Sequence, residues 1–297
     1  MKLEGIITAM ATPIDSNECV SDEGVESLVE HLISGGVSGL FILGTNGEFY
    51  SMTDDAKVEY VELVVRIVDG RVPVYAGTGD IGTNKVIELT KRMKNVGVSA
   101  VSIITPFMIS LSQEEIYQHY VQISEQVELP IILYNIPSNT KLNIEPVTVG
   151  RLAKISNIIG IKDSSGDLDN LKGYLDQTKN EEFSVLVGSD SKILEALKLG
   201  ASGAVAATSN VLTKTDVGIY NEFFVGNLDK AQELQESLEE YRRILKFGTV
   251  PSVLKYTLRE IGIPVGYPFA PVRELLSLNQ KQEINNVLDC YRKIEGF

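Results

Sequence analysis

The chain of 297 residues is poor in cysteine, with only Cys19 and Cys290. Two cysteines cannot build a disulfide framework and fit free thiols in a cytosolic protein. Histidine is equally scarce. His31 and His119 both fall in helix-forming sequence, and neither lies near Cys or Asp/Glu at ligand spacing. A histidine-based zinc site and a Ser-His-Asp triad are therefore not expected. Basic residues are outnumbered, 27 against 40 acidic ones, for a formal charge of −13, and they form no cluster. That argues against nucleic acid or an anionic membrane as a partner. No apolar run approaches the ~20 residues of a membrane-spanning helix. The start, Met1-Lys2-Leu3-Glu4-Gly5, lacks the apolar core and cleavage site of a signal peptide, so the expected location is the cytoplasm. No linker rich in Pro, Gly or Ser interrupts the chain, and no segment is of low complexity.

What the chain has is apolar sequence in a regular order. Hydrophobic residues make up 43% of it, enough for a large core. Short apolar runs at 5–10, 39–43, 73–76, 100–104, 131–134, 158–162, 184–187 and 203–206 read as buried parallel strands. Helix-period segments separate them. Ser21 and Thr53 read as N-caps, and Ser112 with Glu115 as a capping box. Asp190 reads as the opening of a helix that carries Ile193, Leu194 and Leu197. Eight β-then-α units predict an α/β fold, a (β/α)8 TIM barrel, with a doubly wound sheet as the alternative. Gly77-Thr78-Gly79-Asp80-Ile81-Gly82 matches a dinucleotide-binding fingerprint in letters. It follows the third strand rather than the first, so it reads as a tight βα loop. After Thr213 the pattern is helical, with Pro251–Ile261 and Lys281–Ile294 as two further helices. The expected division is a catalytic barrel over 1–225 and a helical extension over 226–297, packed on the barrel or forming a subunit contact.

In a barrel of this kind the chemistry sits where strands end. The sixth strand ends on Lys162, where a low dielectric disfavours the charged form of an amine. Such a lysine can attack carbonyls and form a Schiff base. The competing reading has it snorkel outward and pair with Asp163, which could itself be only a helix cap. Gly44-Thr45-Asn46-Gly47-Glu48, after the second strand, suits a carboxylate or phosphate, or is a turn chosen for its conformation alone. Tyr134 ends the fifth strand, where it could relay a proton or make one structural hydrogen bond. A Lys, a Tyr, a Thr and a cluster of backbone donors at one barrel mouth are the equipment for a 2-oxo acid.

The set Gly44–Glu48, Tyr134-Asn135-Ile136-Pro137 and Gly160-Ile161-Lys162-Asp163 resembles the dihydrodipicolinate synthase / N-acetylneuraminate lyase family, and the likeness covers nearly the whole chain. The resemblance implies a class I aldolase-type barrel that binds pyruvate as a Schiff base, with no metal and no other cofactor. Lys162 would be the Schiff-base lysine, and Tyr134, helped by Thr45, the acid/base. Thr45 and Asn46 would hold the pyruvate carboxylate, with Val205 beside it through its backbone. A homotetramer, a dimer of dimers, is implied as well. Two departures bear on the second substrate. Dihydrodipicolinate synthases usually carry an arginine where this chain has Asn139, and a Tyr-Tyr pair where it has Phe107-Met108. A neutral amide cannot make the bidentate contact that an arginine gives a carboxylate. Gly188, Asp190 and Ser209 could instead bind sugar hydroxyls, although Asp190 could simply cap its helix. The expectation is a lyase joining or cleaving pyruvate and an aldehyde, with a 2-keto-3-deoxy sugar acid as substrate. Dihydrodipicolinate synthesis and a non-catalytic sugar-acid-binding barrel are the alternatives.

Overall fold

A computed structural model describes residues Met1–Phe297. Eight parallel strands close into a barrel in chain order: β1 (Gly5–Ala9), β2 (Gly39–Ile42), β3 (Val74–Gly77), β4 (Ala100–Ile104), β5 (Ile131–Asn135), β6 (Ile158–Asp163), β7 (Ser184–Val187) and β8 (Gly203–Ala206), with β8 paired to β1. Each strand lies within a residue or two of its apolar run, because a strand buried on both faces is apolar throughout and its ends are marked by turn residues. Parallel strands need long crossovers. Helices α1 (Asp22–Ser34), α2 (Asp54–Val68), α3 (Thr83–Val96), α4 (Gln113–Gln126), α5 (Pro137–Thr140), α6 (Pro146–Leu152), α7 (Leu168–Thr178) and α8 (Ile193–Leu199) supply them, and α9 (Thr213–Phe224) follows β8. Their starts follow the expected caps: Ser21 accepts from Gly24 N, Thr53 from Ala56 N, and Ser112 with Glu115 forms a capping box.

Asp190 does not open an α-helix. Residues Asp190–Lys192 form a single 3₁₀ turn, and α8 begins after it. Three helices follow the barrel: α10 (Leu228–Leu245), α11 (Val250–Glu260) and α12 (Leu278–Glu295). The buried stripe of α10, Ala231, Leu234, Leu238, Tyr241, Ile244 and Leu245, joins the same apolar layer as the barrel helices. A separate cluster of 12 buried residues, among them Ile7, Phe41, Ile132, Tyr134, Leu186 and Val205, fills the inside of the barrel. The interior is therefore packed below its C-terminal mouth. No helix is long and apolar enough to cross a membrane.

One irregularity sets the register that matters most. Ile131 pairs with Ile158 but Ile132 with Gly160, so Ile159 has no partner and β6 bulges. The shift brings Tyr134 opposite Lys162. A strand's side chains alternate between faces, so without this extra residue Tyr134 would be opposite Ile161.

Candidate active site

Lys162 stands at the end of β6, 5% exposed, with its Nζ 4.3 Å from the ring centroid of Tyr134 and 4.6 Å from that of Phe41. No carboxylate lies within ion-pair distance of it. Asp163, the expected counter-ion, belongs to a different network. Its carboxylate accepts from Asn135 Nδ2 at 2.9 Å, from Ser165 N at 3.1 Å and from Ser165 Oγ at 2.8 Å. Burial pushes its carboxyl above the ordinary range, and these donors oppose the shift. Asp163 is not a helix cap either, since Asp167 caps α7. Gly188, at the end of β7, leaves room for the lysine. A Cβ there would stand 2.9 Å from Lys162 Cε and 2.1 Å from Ser164 Oγ.

Tyr134 is buried and meets Phe41 edge to face. Its Oη lies 3.4 Å from Thr45 Oγ1, which links the end of β5 to the turn after β2. That turn is held in an uncommon conformation. Leu43 and Glu48, at its two ends, have φ of 57° and 54°, a left-handed region that non-glycine residues seldom occupy. Gly77 explains Leu43, because a Cβ at Gly77 would meet Leu43 O at 2.2 Å. Thr12 Oγ1 donates to Gly47 O at 2.7 Å. Glu48 is fixed from the far end of the chain: its Oε1 accepts from Phe269 N at 2.8 Å, and its Oε2 lies 2.6 Å from Lys255 Nζ. Lys255 Nζ also donates to Tyr267 O at 3.0 Å. Both side chains of this ion pair are fully buried. Burial pushes the Glu48 carboxyl up and the Lys255 ammonium down, and each partner opposes the other's shift. With Glu48 engaged below, Thr45 and Asn46 remain at the surface of the cavity above.

That cavity has a volume of about 760 Å³ and brings together Lys162, Tyr134, Thr45, Asn46, Asn139, Gly188 and Val205. It does not take in all the residues expected there. Asp190 is outside the lining. Its two carboxylate oxygens accept from Ala207 N at 3.1 Å and Thr208 N at 3.0 Å, so it ties the loop after β8 to the end of β7. Its carboxylate is taken up by these backbone donors, and it does not cap its own helix. Ser209 is also outside, fully buried, with its Oγ 2.9 Å from Thr8 Oγ1 and donating to Ala206 O at 3.0 Å. A serine and an aspartate after a strand look alike in sequence whether they serve the substrate or the loop.

The sequence reading missed the far wall, where Arg242 of α10 and Thr249, Val250 and Pro251 at the start of α11 line the cavity. The helical period placed Arg242 and Pro251 on helices but could not place the helices over the mouth. Both histidines are structural. His31 Nε2 lies 3.2 Å from Thr213 Oγ1, and His119 Nδ1 lies 2.9 Å from Thr83 Oγ1. A second hollow, of about 810 Å³, lies at the opposite end of the barrel near Met1, Lys154 and Glu182. It holds none of this chemistry, and barrels of this class carry their active sites at the C-terminal face.

Comparison with known proteins decides the family. The profile described as "Dihydrodipicolinate synthetase family" matches residues 2–290. The chain belongs to the dihydrodipicolinate synthetase family. It is 35% identical over 291 residues to a 4-hydroxy-tetrahydrodipicolinate synthase of Oceanobacillus iheyensis, covering 98% of each chain. Among solved structures, a dihydrodipicolinate synthase of Bacillus anthracis superposes with a TM-score of 0.93 at 35% identity, over 97% of this chain and 98% of that one. A prophage protein of the dihydrodipicolinic acid synthase family from E. coli K12, in complex with pyruvate, superposes with a TM-score of 0.94 at 28% identity, over 98% and 99%. As a member of the dihydrodipicolinate synthetase family, the chain is a class I lyase that works through a lysine Schiff base and uses pyruvate.

Proposed function

We propose that Lys162 forms the imine with pyruvate and that the enzyme joins the bound pyruvate to an aldehyde, as a 4-hydroxy-tetrahydrodipicolinate synthase. The observation that carries the assignment is the placement of Lys162 Nζ beside Tyr134, whose hydroxyl is 3.4 Å from Thr45, in one cavity. Nζ adds to the C2 carbonyl, and the oxygen leaves as water to give a protonated imine. A proton then leaves C3, and the enamine carbon bonds to the aldehyde carbon, whose oxygen takes up a proton. Water, or an amine of the joined product, displaces the lysine from C2. Tyr134, with Thr45, moves the protons. Thr45 and Asn46 hold the pyruvate carboxylate, with the Val205 backbone beside it.

The activity of the relatives named 4-hydroxy-tetrahydrodipicolinate synthase supports aspartate semialdehyde as the aldehyde and moves this reading ahead of the sugar acid. The second reading, a 2-keto-3-deoxy sugar acid, is favoured by Asn139, which offers an amide where a synthase usually has arginine, and by Phe107-Met108, which has no hydroxyl. Under it, Asn139 and the backbone of Gly188 would contact the sugar chain. We also propose a cytoplasmic homotetramer, with barrel and extension dividing at 225/226.

Borohydride reduction in the presence of pyruvate, read by mass spectrometry, is expected to add the mass of pyruvic acid less one oxygen (the C2 oxygen lost as water, two hydrogens gained) at Lys162 and nothing in Lys162→Ala. A chain with no adduct would support the non-catalytic sugar-acid-binding barrel. Initial rates with pyruvate and aspartate semialdehyde, set against rates with glyceraldehyde, separate the two substrates. Faster turnover of glyceraldehyde would favour the sugar acid.

A further inference from the structure

The protein carries 40 acidic residues against 27 basic ones, yet no Asp or Glu lines the cavity. Its only charged lining residues are Lys162 and Arg242. They come from different parts of the chain, one from the end of β6 and the other from α10, outside the barrel. The Arg242 side chain is 25% exposed, and one of its nitrogens, Nη1, donates to Glu239 Oε1 at 2.8 Å. Glu239 is 61% exposed, so this is a surface pair of small energy. Nε and Nη2 have no protein partner, which leaves an edge of the guanidinium free toward the cavity. The one nearby buried acid does not use it. Asp190 is satisfied by the backbone of residues 207 and 208, and both Arg242 and Lys162 act on its carboxyl by charge alone. Thr249 adds a hydroxyl on the same wall, and that hydroxyl makes no cap bond to its own helix.

We infer that Arg242 is a specificity residue that receives an anionic group, a carboxylate or a phosphate, on the far end of the aldehyde. The inference rests on the pyruvate-imine reading and names what its partner must carry. A guanidinium with two free donors matches either anion in two-point geometry. A cavity with two cations and no acid concentrates anions even inside an acidic protein. The arginine missing at Asn139 is thereby answered from a different element, on a different wall. Pyruvate, held at its carboxylate by the turn after β2, leaves that wall to the second substrate.

The test compares three aldehydes with pyruvate: aspartate semialdehyde for the carboxylate, glyceraldehyde 3-phosphate for the phosphate, and neutral glyceraldehyde. Wild type, Arg242→Met and Arg242→Lys are assayed, with borohydride trapping of pyruvate run on each. Wild type is expected to prefer at least one charged aldehyde. Arg242→Met should then lose on the order of ten- to a hundredfold in kcat/KM for that aldehyde, as expected for a lost charged hydrogen bond. Its rate with glyceraldehyde and its pyruvate adduct should stay within about twofold of wild type. Arg242→Lys, which keeps the charge, should recover part of the loss. The two charged arms tell carboxylate from phosphate. A pyruvate adduct with equal losses on all three aldehydes, with no loss on any, or with no turnover of either charged aldehyde overturns the inference and leaves the Schiff base standing. Absence of the adduct in wild type overturns both.

Discussion

Glu48 closes the turn that faces the cavity, yet its own carboxylate is buried 2.6 Å from the Lys255 ammonium. Removing one member of such a pair leaves a charge with neither water nor partner. Lys255→Met is expected to cost roughly 3–5 kcal/mol, and the double variant with Glu48→Met to recover most of it. Chemical denaturation checks this through the midpoint at unchanged slope. The pair was not legible in the sequence. A lysine in an amphipathic helix reads as part of a solvated face, and Glu48 read as part of the turn. Arg242 escaped notice for the same reason. Lys162 and Tyr134 were legible because each ends a wholly apolar run, where a polar side chain is out of place unless the strand delivers it to the barrel mouth.

At the scale of elements, strand ends could be read to within a residue or two, but the pairing between strands could not. The unpaired Ile159 leaves no mark in the composition of 158–163, although it decides that Tyr134 lies opposite Lys162. Contacts between helices were also hidden. His119 of α4 bonds Thr83 at the start of α3, and its Nε2 is buried without a partner. Burial pushes its pKa from 6.5 down to about 4. Between those values the folded chain binds fewer protons than the unfolded one. Stability is therefore fully present above pH 6.5 and falls as the pH drops toward 4. The loss amounts to roughly 3 kcal/mol at the 1.4 kcal/mol that each pH unit represents. In His119→Gln the melting temperature should fall less steeply between pH 6.5 and 4 than in wild type, as followed by circular dichroism. Parallel curves would mean that the imidazole is not what titrates.

For the molecule as a whole, α10 and α11 are as much a part of the site as the barrel. They supply the far wall of the cavity through Arg242, Thr249, Val250 and Pro251, and they hold the turn after β2 through Lys255. The sequence showed a helical pattern after Thr213 with two further helices, and left open whether they covered the barrel or formed a subunit contact. A periodic stripe says that a helix is covered, not by what. A chain ending at residue 225 would strip α9 of α10 and leave Glu48 unpaired. It is expected to give no cooperative thermal transition and no pyruvate adduct on borohydride reduction. A truncated chain that melts cooperatively and still forms the adduct would show that the barrel stands alone.

The order in which a ribosome releases the chain gives this arrangement a further meaning. Lys162 emerges well before Arg242 and Lys255, and folding generally proceeds from the N-terminus during synthesis. A half-made copy thus holds the Lys162 amine with one side of its chamber missing and the turn after β2 unpinned. Only the arrival of the last quarter of the polypeptide closes the cavity around that amine and pins the turn after β2, so an interrupted translation product carries Lys162 without the walls that surround it.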